Sequence, residues 1–126
     1  MARVVAFIPD LLFGSNVVGA LRAAGHEPVL VSGPDQAERE LSGADLPIVD
    51  LTADAPARIE SLGGAVRSGA TPTLAFYSHV ETDVRTQAER AGFDLVVPRS
   101  RMAREGGALV DRLLAGGDEQ PTGRSG

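Results

Sequence analysis

Five short apolar runs, separated by longer amphipathic stretches, constrain this chain more than any other feature. The runs are RVVAFI (3–8), PVLVS (28–32), LPIVDLT (46–52), TPTLAFYS (71–78) and DLVV (94–97). Each is too short for a buried helix and is built largely from Val, Ile and Leu. The stretch after each run carries apolar residues at helical spacing. Such a rhythm predicts a parallel sheet with crossover helices.

The helices are expected at about Ser15 to Ala24, within PDQAERELSG (34–43), within PARIESLGGAVRSG (56–69), from about Glu81 to Ala91, and from about Arg101 to Ala115. Ser15 is a candidate N-cap and Gly25 a stop after the first helix. Pro34 suits the first turn of the second helix, and Gly43 follows its end. Gly63 and Gly64 weaken the third by roughly 1 kcal/mol each relative to alanine. Val84 and Ala88 share a face of the fourth. Leu109, Val110, Leu113 and Leu114 form the apolar stripe of the fifth. Right-handed crossovers then suit a flavodoxin-like three-layer α/β sandwich with a five-stranded parallel sheet of order 2-1-3-4-5. Residues 1–115 form one domain, and 116–126, GGDEQPTGRSG, have too little apolar surface to order and read as a disordered tail. Ligands in such sheets sit at the carboxyl ends of the first and third strands, where this chain carries Asp10 and Asp50.

Composition removes several functions. Cysteine is absent, and with it disulfides, thiolate metal sites and cysteine nucleophiles. All 12 basic residues are arginine, so chemistry that needs a lysine is excluded. A net charge of −5 with no basic concentration argues against nucleic acid as a partner. The opening MARVVAFIPD is too short an apolar run for a signal peptide or a membrane span, so a cytoplasmic protein is expected. His26 and His79 are too distant in sequence to form a local ligand pair, and His79 reads as an exposed loop residue.

The order of elements, the length and the AERAGFDLVVPRS passage (88–100) resemble the receiver domains of two-component response regulators (CheY-like), over roughly residues 3–115. In that family an acidic pair after the first strand and an aspartate ending the third hold Mg²⁺, and the latter accepts a phosphoryl group. The resemblance puts Asp50 at the acceptor position, Asp10 at one position of the acidic pair, and the Thr52 carbonyl as a backbone metal ligand. Pro9 stands where the second acid would be. Counting back from Gly92 without gaps puts Tyr77 at the hydroxyl position that binds phosphoryl oxygens, and a one-residue shift puts Ser78 there. Arg99 falls at the position of the family's lysine. Its planar fork does not reproduce a compact ammonium, and one acid fewer implies weaker Mg²⁺ binding. These departures imply a pseudo-receiver whose phosphoacceptor chemistry is impaired or lost, with no cofactor required. An active phosphoacceptor using Asp50 and Mg²⁺ is the alternative. Without the resemblance, Asp50 reads as a carboxylate at a strand end that caps the next turn or is simply solvated, and Asp10 as a turn residue after Pro9.

The stretch FGSNVVGALRAAGHEPVLV (13–31) also looks like the start of a dinucleotide-binding domain. Only Gly14 matches that fingerprint's last glycine, however, and Ile8 and Leu11 fill the other two positions. The Tyr-x-x-x-Lys pair of short-chain dehydrogenases is impossible here. A small transferase or hydrolase using Asp50 and Ser78 lacks a base to pair with them. The apolar DLLFG (10–14) reads as a turn that either folds under the sheet end or forms a docking patch. Arg99, Arg101 and Arg104 gather in PRSRMARE (98–105), as solvated surface arginines or as a site for an anion or acidic partner. The combined expectation is a stand-alone receiver-like signalling or scaffold domain. Its partner is another protein or a second copy, with a homodimer through the fourth helix, fifth strand and fifth helix in view.

Overall fold

The computed structural model describes residues 2–67, 71–78 and 82–116. The chain alternates β1 (Arg3–Phe7), α1 (Leu11–Ala23), β2 (Glu27–Val31), α2 (Pro34–Leu41), β3 (Leu46–Asp50), α3 (Ala55–Arg67), β4 (Leu74–Tyr77), α4 (Thr82–Ala91), β5 (Leu95–Pro98) and α5 (Arg99–Leu114). All strand pairings are parallel, and the sheet order is β2-β1-β3-β4-β5, as the apolar rhythm predicts.

Period-two alternation along buried strands sorts the apolar side chains to two faces. Val4, Ala6, Ile8, Leu46, Ile48, Leu74, Phe76 and Val97 pack with Val17 and Leu21 of α1 and with Met102, Leu109 and Val110 of α5. Val5, Phe7, Val49, Ala75, Tyr77 and Val96 pack with Leu41 of α2, Leu62 of α3, and Val84 and Ala88 of α4. Helices α1 and α5 therefore cover one face, and α2, α3 and α4 the other.

The start of α1 differs from the expectation at Ser15. Asp10 is the N-cap: its carboxylate accepts hydrogen bonds from the Leu12 and Phe13 amides, so the helix begins four residues earlier. Residues 11–14 of DLLFG are consequently helix, with Asp10 their cap, and not a turn. Phe13 continues the buried stripe through Val17 and Leu21, which is the helical spacing that large apolar residues in a supposed turn should have suggested. Leu11 and Leu12 point the other way and are 62% and 78% exposed. Gly25 ends the helix in the left-handed region at φ +92°, as expected. Helix α5 begins at Arg99, two residues before its expected start, directly after Pro98.

A Cβ at Gly14 would lie 2.9 Å from Leu30 Cδ1, the tip of a side chain on β2 that would have to shift. Residues 117–126, where a disordered tail is expected, and His79 lie outside the described residues.

Replacing Leu21, which is fully buried in α1, by alanine is expected to lower the unfolding free energy by about 2–5 kcal/mol. Leu12→Ala, on the exposed side of that helix, is expected to change it by less than about 0.5 kcal/mol. Urea denaturation of both variants checks the placement of α1.

Candidate functional site

The carboxyl ends of β1 and β3 are neighbours, with Phe7 in register with Val49, so Asp10 and Asp50 leave the sheet from adjacent strands. Asp50 closes a strand whose five residues are all buried, and it is itself only 4% exposed. A carboxylate in that position must be satisfied by the protein.

Its partners come from the next eight residues. Asp50 Oδ1 accepts the Thr52 amide at 2.8 Å and the Thr52 hydroxyl at 2.6 Å, a turn closed by the side chains of an Asp-x-Thr sequence. Beyond it Asp54 adopts φ +50°, a left-handed conformation that aspartate tolerates, and the chain enters α3. This places Arg58 in the first turn of α3, with its backbone N–H donating to the Asp54 carbonyl. Its guanidinium returns to the strand end, where Nη1 donates to the Asp50 carbonyl at 2.8 Å and lies 4.0 Å from Asp50 Oδ2. The Arg58 side chain is 15% exposed and stacks over the Phe7 ring at 5.2 Å.

Asp10 makes a comparable set of contacts at the end of β1. Oδ1 caps α1, and Oδ2 lies 3.5 Å from Arg99 Nη2. The Arg99 guanidinium also sits 4.3 Å from the centre of the Phe13 ring. This second pair is half-exposed, so solvent screening limits its worth to about 0–1 kcal/mol. Each acid thus faces its own arginine, one from α3 and one from α5.

Phe76 is the register partner of Asp50 and points toward α1 and α5, whereas Tyr77 is buried against α3 and α4. Alternation assigns Ser78, just past the strand end and half-buried, to the side of Asp50. Tyr77 instead neighbours Arg85. Arg85 is held above its ordinary pKa chiefly by its hydrogen bond and charge interaction with Glu89, with smaller contributions from Tyr77. On α5, Arg101, Arg104 and Arg112 all lie within 3.7 Å of Glu105, so the arginine group carries an internal counter-charge.

Sequence reasoning missed Arg58. A readable signal existed: an arginine in the first turn of a helix opposes the helix dipole and calls for a nearby acid.

In this arrangement every carboxylate oxygen of Asp10 and Asp50 already faces a donor or a guanidinium, which a divalent cation would have to displace. Mg²⁺ needs free, hard oxygens in a near-octahedral set. Oδ1 of Asp50 and Oδ1 of Asp10 each already accept two hydrogen bonds, which uses both lone pairs. The two Oδ2 atoms face guanidinium groups. Among the described residues no group of three or more His, Cys, Asp or Glu is arranged to hold a metal, and no helix is long and apolar enough to cross a membrane.

No family model matches the chain, and no curated protein matches it. Solved structures do. A response regulator receiver protein from Burkholderia phymatum is 20% identical, with a TM-score of 0.77 over 96% of this chain and 99% of that one. The signal receiver domain of NarL from Mycobacterium tuberculosis is 23% identical, with a TM-score of 0.70 over 91% and 97%. The receiver domain of a sensor histidine kinase from Pseudomonas aeruginosa, solved with magnesium coordinated in its active-site cleft, is 17% identical, with a TM-score of 0.73 over 90% and 98%. The chain has the receiver-domain fold.

Thr52→Val keeps the side-chain shape and removes the hydroxyl that donates to Asp50. It is expected to destabilise the protein by about 1–2 kcal/mol, with Thr52→Ser near wild type. Asp10→Ala is expected to cost about 1 kcal/mol through the lost N-cap. Both are read by urea unfolding at neutral pH.

Proposed function

We propose that this chain is a receiver-like signalling domain that acts on another protein through surface contacts, with phosphoacceptor chemistry at Asp50 impaired. The observation that carries this reading is the state of the Asp50 carboxylate. Phosphorylation requires a carboxylate oxygen to attack phosphorus in line while the donor's leaving group departs with the bonding pair. Here Oδ1 is committed to Thr52, Oδ2 faces Arg58, and the residue is 4% exposed. Burial, occupied lone pairs and a fixed counter-charge all lower its competence as a nucleophile.

Contact with a partner draws support from the same rim. Leu11 and Leu12 are exposed at the start of α1, beside Asp10 and Arg99. Arg101 and Arg104 continue along α5, where an acidic surface on the partner would complement them. A second copy docking through α4, β5 and α5 is the alternative partner.

Incubation with a small phosphodonor and Mg²⁺, followed by intact-mass measurement, is expected to leave the protein unmodified. A phosphate-sized gain that disappears in Asp50→Asn would restore the active-phosphoacceptor alternative and overturn this reading.

A further inference from the structure

We infer that Arg58 is a built-in counter-ion that takes the place of a divalent cation at Asp50 and keeps Mg²⁺ out of the site. The inference concerns ion occupancy, whereas the proposed function concerns phosphoryl acceptance and partner contact. Its test is therefore separate.

Three features of Arg58 support it. First, the guanidinium engages both the backbone carbonyl and the carboxylate of the same residue, at 2.8 Å and 4.0 Å. Both contacts are made by Nη1, a hydrogen bond to the carbonyl and a longer ion-pair contact to the carboxylate. Second, it is held in place and is not a solvated side chain swinging past the acid. It is 15% exposed, lies over the Phe7 ring, and springs from a helix whose start is fixed by the turn at Asp54. Third, a cation at the start of a helix favours an acidic partner. The first turn of α3 contains no acidic residue, and the N-terminal end of a helix repels cations. An arginine there needs a compensating negative charge, and Asp50 is the carboxylate it meets.

Arg99 has the same logic in weaker form. It is the first residue of α5, whose first turn also lacks an acid, and its partner is Asp10. Two guanidinium groups thus approach the ends of β3 and β1 from opposite faces of the sheet. Arg99 is half-exposed, whereas Arg58 is largely enclosed. The exclusion is assigned to Arg58 for that reason.

Thermal unfolding in a magnesium titration, with sodium chloride matching the ionic strength, tests the assignment on the full chain. Wild type is expected to show no Mg²⁺-specific change in Tm. Arg58→Met, which keeps the apolar stem over Phe7 and removes the charge, is expected to have a lower Tm that Mg²⁺ raises by about 2 °C or more. Adding Asp50→Asn to that variant is expected to abolish the response. Arg58→Lys, which retains the positive charge, is expected to remain insensitive. If Arg58→Met does not fold, Arg58→Gln carries the same readout with a donor left for the Asp50 carbonyl. A Mg²⁺-specific rise in wild type that Asp50→Asn removes would overturn the inference, and so would folded, uncharged variants that ignore Mg²⁺. Phosphorylation without a magnesium response would instead count against the proposed function alone.

Discussion

A carboxylate at the tip of a fully buried strand sets the terms for this end of the molecule. Asp50 must find hydrogen-bond donors and counter-charge within the protein, because little water reaches it. The next eight residues meet that demand: Thr52 donates twice, Asp54 turns the chain through a left-handed conformation, and α3 begins where Arg58 can reach back. The β3–α3 connection therefore follows from the electrostatics of one residue as much as from the need to cross the sheet. Asp10 performs a parallel task at the end of β1, where capping α1 and facing Arg99 use the same carboxylate.

The opposite end of the sheet is fastened by a different kind of contact. Asp45 precedes β3 and accepts the Arg3 amide, while its own amide donates to the Arg3 carbonyl. Thr73 and Asp94, ahead of β4 and β5, exchange backbone and side-chain hydrogen bonds in the same reciprocal manner. His26, just before β2, meets Asp111 of α5 at 2.6 Å. These contacts join side chain to backbone, or element to element, before each ladder begins, and so favour a single register for strands of only four or five residues. With registry held there, the carboxyl ends can carry charged groups whose contribution to stability is smaller.

Much of this was legible in the sequence. Strand positions and sheet order follow from short apolar runs alternating with amphipathic ones, and a buried parallel sheet tolerates little else. Helix starts were harder to read. Ser15 and Asp10 are both good caps, and the choice between them depends on whether Phe13 is inside, which only packing against Phe76 decides. Tyr77 and Ser78 could not be separated without the register that pairs Asp50 with Phe76. Arg58 was missed because a guanidinium that reaches back to a strand end differs only by weak local context from one that is solvated. Its position in a first turn without acids was the available clue.

A tethered guanidinium and a diffusible ion differ as counter-charges to a buried carboxylate. A bound divalent cation neutralises a carboxylate only to the extent that its concentration exceeds its dissociation constant. A tethered guanidinium is present at an effective concentration of about millimolar or higher, whatever the solution contains. A guanidinium stays charged across the whole range in which proteins fold. Stacking on Phe7 and bonding to the Asp50 carbonyl further restrict it to one place. If Arg58 does the work of a cation, the charge state of this rim no longer follows ionic conditions. Any signal the domain responds to must then act through its surface, where Leu11, Leu12 and the arginines of α5 meet solvent.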